Sequence, residues 1–134
     1  MADLLEQLAI ACVAEGVEVD LSAAADTETT LYTVPSGYQF VPLMLVMRGW
    51  SADPGASVVT VGKTGGTCDG FLGNQTLSNI TASYADQVAI LQPVPNATPV
   101  ASLILDAGEA LGMEITTQGT GTCKVDVFGK LIAV

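Results

Sequence analysis

The segment Leu31-Tyr-Thr-Val-Pro-Ser-Gly-Tyr-Gln-Phe-Val-Pro-Leu-Met-Leu-Val-Met47 constrains the fold more than any other part of the chain. β-Branched and aromatic residues flank Pro35-Ser36-Gly37, where Pro35 presets φ for a corner and Gly37 can take the positive φ that closes it. The pattern predicts two strands folded back on each other as a hairpin. Pro42 has no N–H to give to a ladder, which predicts an edge or a bulge at that point.

The rest of the chain repeats the strand signal. Val17, Val19 and Leu21 alternate with Glu18 and Asp20, the pattern of a half-buried strand with an acidic outer face. Further strands are predicted over 27–34, 57–62, 75–80, 87–91, 100–105, 110–116 and 121–134, separated by turn signals such as Asp53-Pro54-Gly55, Gly65-Gly66 and Ala107-Gly108. Short strands at this spacing, with no helical pattern between them, predict an all-β fold: an antiparallel β-sandwich of jelly-roll-like form. Residues 63–73 read as an exposed loop. At the N-terminus, residues 3–14 predict a helix with Asp3 as N-cap, Glu6 at N3, Leu4, Leu8 and Cys12 on one face, and Gly16 as its stop. An extended arm is the alternative, because Ile10, Cys12 and Val13 suit a strand equally well. The expected organisation is an arm or helix over 1–15 and a β-sandwich domain over 16–134.

Composition narrows the function classes. A chain of 134 residues supports one core, and its charged share of 13% beside 49% apolar residues is about half the usual proportion. Such a surface is either neutral and rich in Thr, or covered by another subunit as in an obligate oligomer. Fourteen acids against four bases give a net charge of −10, which excludes a phosphate-tracking surface and with it nucleic acid as a partner. Half of the acids lie between Asp3 and Glu28 with no Lys or Arg among them, a bias that suits either a basic partner surface or a solvated face. No apolar run approaches the ~18 residues of a membrane-spanning helix, and no basic n-region of a signal peptide opens the chain, so no membrane partner is expected. Three widely spaced cysteines, Cys12, Cys68 and Cys123, cannot all pair within one chain. The expectation is synthesis in a reducing cytoplasm with passive thiols.

Chemistry is sparse. Without histidine there is no Ser-His-Asp or Cys-His arrangement and no imidazole metal site. Gly62-Lys63-Thr64 suggests a phosphate loop, yet the glycine that motif needs five residues earlier is Ser57. Asp106, Glu109 and Glu114 lie close in sequence, but alternate residues of a strand point to opposite faces, so they read as solvated acids. Asp53, Asp69 and Asp86 lack the dense spacing of a calcium loop. The chain is therefore expected to be no enzyme, with no catalytic residue, no cofactor and no metal. Arg48 and Trp50 flank Gly49 at a strand end, where a rim contact with another subunit competes with core packing for Trp50. With the apolar face of the N-terminal segment, the candidate interface is Leu4, Leu8, Arg48 and Trp50.

Thr30-Leu-Tyr-Thr-Val-Pro-Ser-Gly-Tyr-Gln-Phe-Val-Pro42, with the strand running on to Arg48, resembles the opening strands of small jelly-roll proteins encoded in the structural gene clusters of tailed bacteriophages. Lys124-Val-Asp-Val-Phe-Gly-Lys-Leu-Ile132 resembles their closing strand. The resemblance implies a capsid decoration, or cement, protein on the virion surface: a β-sandwich made in the host cytoplasm that assembles as a homotrimer and clamps the major capsid protein. The alternative is a receptor- or glycan-binding module of a virion fibre, for which an exposed aromatic cluster would be the mark.

Overall fold

The computed structural model describes residues 10–93 and 103–134. Eight strands form in the order β1 (Ala11–Asp20), β2 (Glu28–Thr33), β3 (Tyr38–Arg48), β4 (Val58–Lys63), β5 (Leu72–Thr76), β6 (Ala89–Leu91), β7 (Ala110–Thr117) and β8 (Thr122–Ala133), with one 3-10 turn at Tyr84–Asp86. Sheet A has the order β1-β8-β3-β6 and sheet B the order β2-β7-β4-β5. All pairings are antiparallel. β1 with β8, β2 with β7, β3 with β6 and β4 with β5 are the rungs of one long hairpin that has been rolled up, and the β3–β8 and β4–β7 ladders seal the roll. That is the jelly-roll form of the β-sandwich.

Between the sheets lie Val19, Leu31, Phe40, Leu45, Met47, Val59, Val61, Leu111, Met113, Ile115, Cys123, Val125 and Val127, all buried and drawn from six of the eight strands, with Leu21 just beyond β1. Alternation delivers them: Val59 and Val61 face inward on β4, as do Leu111, Met113 and Ile115 on β7. β3 departs from strict alternation, since Phe40 and then Leu45 and Met47 are buried. The ladder with β8 slips between Pro42 and Met44, and the extra residue exchanges the two faces of the strand. Phe40 exchanges both backbone hydrogen bonds with Leu105, at 2.9 Å each, whereas β6 engages β3 only at Leu45–Met47. Pro42, two residues beyond Phe40, therefore turns its missing donor toward the unpaired stretch between them.

The hairpin expected around Pro35-Ser36-Gly37 does not form. Both strands exist, but β2 lies in sheet B and β3 in sheet A, with no ladder between them. The turn explains the switch: Tyr38 N–H reaches Pro35 O at 3.3 Å and Gly37 sits at φ +86°. Positive φ at the second central residue is type II geometry, which splays strands that a primed turn would pair. The chain thus crosses from one sheet to the other, and each strand finds its partner far along the sequence.

Three further expectations are corrected. Residues 11–14 are strand rather than helix, and Gly16, read as a helix stop, lies inside β1 at φ +66° where the ladder to β8 slips between Ala14 and Val17. β8 offers this segment an in-register partner from Ala11 onward, so the extended alternative prevails there and sheet A reaches back beyond residue 16. Leu4 and Leu8 lie outside the described residues. The 63–73 segment is no free loop either, because Cys68, Phe71 and Leu72 are buried. The strand expected at 75–80 sits earlier, at Leu72–Thr76, while Leu77 and Ile80 still pack into the core.

Candidate functional site

Two polar clusters stand out, one on the outer face of each sheet. On sheet A, Asp126 of β8 is 8% exposed and receives Arg48 Nε at 2.8 Å, Arg48 Nη2 at 3.0 Å and the Gly16 N–H at 2.8 Å. The β1 irregularity around Gly16 is what aims that N–H at the carboxylate. Hydrogen bonds from Arg48 hold the Asp126 carboxyl below its usual range, against the opposing effect of burial. Glu15 stands 4.0 Å from Arg48 on the solvent side. Cys12 lies nearby, its thiol pushed up by burial and then by the Asp126 and Glu15 charges.

On sheet B the outward residues of β4 and β7 include a glycine pair, Gly62 opposite Gly112. The absent side chains leave a trough into which the β4–β5 loop folds. A Cβ on Gly62 would lie 2.6 Å from Gly70 N and 2.7 Å from Asp69 N, so glycine is required by close backbone approach. Cys68 fills the trough, fully buried outside the main core, and its single S–H is shared between the carbonyls of Gly62 and Gly112, at 3.5 and 3.4 Å from the sulfur. Beside it, Glu28 of β2 and Glu114 of β7 face each other in register, and ligand atoms of Glu28, Cys68 and Glu114 all lie within 4.8 Å of one another. Among the described residues this is the group that could share a metal ion. As folded, the thiol is a hydrogen-bond donor: burial first, then Glu28, pushes it up to about 11, so it is neither thiolate nor activated nucleophile. Glu114 is held above the ordinary carboxyl range by burial and by Glu28 and Asp26.

The sequence-derived candidates fall out as follows. Trp50 is 5% exposed and its indole N–H reaches Gln87 O at 2.9 Å, so it is a core residue rather than a rim contact. Arg48 keeps a 37% exposed side chain but is committed to Asp126 within the chain. Asp106, Glu109 and Glu114 separate: Asp106 and Glu109 close a turn at the end of β7 where Glu109 pairs with Lys63, while Glu114 lies on the outer face of sheet B. Lys63, from the apparent phosphate-loop tripeptide, is thereby the partner of a carboxylate at the end of β4. Sequence reasoning missed the Glu28–Cys68–Glu114 cluster. The available signal was the pair of glycines inside strand patterns, which marks a close approach of another segment.

The exposed large apolar side chains are unevenly placed. Ile10, Leu43, Val88, Ile90, Ile104, Ile132 and Val134 all belong to sheet A or to segments adjoining it. Among the described residues, no large apolar side chain of sheet B is exposed.

No family model matches the chain, and no curated protein does. Among solved structures, a chain of the cyanophage Pam1 capsid asymmetric unit is similar at 12% sequence identity and a TM-score of 0.49, over 90% of this chain and 84% of that one. At that identity and score the likeness carries no weight for function.

Proposed function

We propose that this protein is a structural interaction protein that attaches to a protein lattice through its sheet A side, as a capsid decoration protein on the outside of a phage head. The observation that carries the reading is the exposure of Ile10, Leu43, Val88, Ile90, Ile104, Ile132 and Val134, all on strands of sheet A or segments adjoining it. Large exposed apolar side chains concentrated in one sheet and its adjoining segments mark a surface that another protein covers. Sheet B and its loops carry Asp26, Glu28, Asp69 and Glu114 and, among the described residues, no exposed large apolar side chain. The resemblance of the β2–β3 and β8 segments to phage jelly rolls supplies the class of partner, the major capsid protein, and the trimeric assembly. Among the described residues sheet A ends at β1 and β6, edges that offer strand addition, and several copies on one lattice add avidity.

The fold itself does not decide, because jelly rolls also serve as lectin domains. A glycan-binding head needs aromatic faces for sugars to stack on, and the single tryptophan is in the core. Co-sedimentation with undecorated tailed-phage heads is the test. Saturable binding, lost on Val88→Lys with Ile90→Lys, is expected. Binding to glycans and none to heads would replace this reading by the lectin one.

A further inference from the structure

Glu28 of β2, Glu114 of β7 and Cys68 of the β4–β5 loop converge from three separate segments, with one ligand atom of each within 4.8 Å of the others. The two carboxylates stand opposite each other in register, where ionised side chains repel unless positive charge lies between them. The protein supplies none there. Of its four basic residues, Arg48, Lys124 and Lys130 are on sheet A and Lys63 is paired with Glu109, whereas Asp26 and Asp69 add to the negative field. A second observation is independent of charge. Glu28 Oε1 accepts the Gly65 N–H at 3.3 Å, while Glu28 Oε2 is buried with no hydrogen-bond partner. A buried carboxylate oxygen left over in this way calls for a partner, and the Gly65 N–H orients the carboxyl as outer hydrogen bonds orient metal ligands.

We propose that Glu28, Cys68 and Glu114 bind a divalent cation of the zinc type, which pins the β4–β5 loop to β2 and β7. A thiolate beside two carboxylates selects a borderline ion such as Zn²⁺, since Ca²⁺ and Mg²⁺ take oxygen donors. Zinc–sulfur and zinc–oxygen bonds of about 2.3 and 2.1 Å set the ligands of a tetrahedral ion about 3.4–3.6 Å apart. The group therefore has to close by little more than about 1 Å, within reach of two flexible glutamate side chains moving toward a thiol fixed in the Gly62–Gly112 trough. Both glutamates are only half-buried, which gives the ion a way in. On binding, the sulfur gives up the S–H it shares between the Gly62 and Gly112 carbonyls, the proton passes to solvent, and the thiolate bonds to the metal. Three protein ligands leave a fourth position for water. The site departs from the expectation of no metal, which rested on the absence of histidine and of calcium-loop spacing; residues 28, 68 and 114 are too far apart in sequence to form a motif.

The test is calorimetric titration of zinc chloride into the full chain, stripped with EDTA, desalted and kept reduced. One ion per chain should bind with micromolar or tighter affinity, and Tm should rise by about 5–10 °C at free zinc a hundredfold above Kd. Cys12→Ser should leave both results unchanged. Glu28→Gln and Glu114→Gln should each weaken binding by at least about tenfold, and Cys68→Ala should abolish it. Cobalt(II) in place of zinc should give a thiolate-to-metal charge-transfer band in the unsubstituted protein and in Cys12→Ser; this readout stands even if Cys68→Ala fails to fold. No saturable binding at millimolar zinc, a cobalt spectrum without the thiolate band, or binding that is lost with Cys12→Ser and kept in the glutamate variants would overturn the proposal.

Discussion

Asp126→Ala is the substitution whose consequence the structure fixes most closely. It removes both hydrogen bonds of Arg48 and leaves the Gly16 N–H without an acceptor. Hydrogen bonds to a charged group contribute about 1.5–3 kcal/mol when buried, and an orphaned donor costs about 1–3 kcal/mol. The Arg48 side chain is 37% exposed, so solvent screens its share and the guanidinium can rehydrate. About 2 kcal/mol is the expected loss. A domain of 134 residues shifts by roughly 3.5 °C per kcal/mol, so Tm should fall by about 7 °C. Asp126→Asn keeps an acceptor for Gly16 and should lose about half as much. The chain's one tryptophan, Trp50, is buried and reports unfolding by its fluorescence. The pH dependence carries a sign: with its folded value lowered, Asp126 contributes stability that is present above its unfolded value of about 3.9 and is lost as pH falls through the folded value. The gap between the native protein and Asp126→Asn should therefore close in acid. A Tm change below about 1 °C for Asp126→Ala, or a gap that persists unchanged below about pH 3, would refute the reasoning.

Light scattering at micromolar concentration should give the mass of a homotrimer, unchanged in Val88→Lys with Ile90→Lys; a monomeric native mass removes the oligomer from the proposal. Non-reducing electrophoresis should show no disulfide between native subunits, with Cys12→Ser neutral and Cys123→Ser costing about 1–3 kcal/mol by placing a hydroxyl in the core. Deleting residues 1–9 should leave the strand signal in circular dichroism intact while weakening assembly. Deletion through Glu15 should lower Tm as well, because it removes the first half of β1 from its ladder with β8.

What the sequence made legible is local. Strands β2, β4, β7 and β8 follow from alternation and bounding turns, and the bulge at Pro42 follows from its missing donor. Pairing was not legible. The segment around Pro35-Ser36-Gly37 has the composition of a hairpin, and only the unprimed turn at Gly37 sends its two strands into different sheets. The helical reading of 11–14 failed because a partner strand more than a hundred residues away outcompetes local propensity. The same distance hid the sheet B cluster: Glu28, Cys68 and Glu114 become neighbours only when β2 meets β7 and the loop closes over Gly62 and Gly112. For Trp50 the sequence left a rim contact and core packing both open, and the structure gives core packing. Its burial depends on the 3-10 turn and Gln87 folding over it.

Cryo-electron microscopy of undecorated tailed-phage heads incubated with the protein measures the attachment and its orientation together. The expected map shows added density with Val88, Ile90 and the rest of the sheet A side against the capsid, and with Glu28, Glu114 and the β4–β5 loop toward solvent. Bare heads at saturating protein, or density seated with the sheet B loop on the lattice, would contradict it.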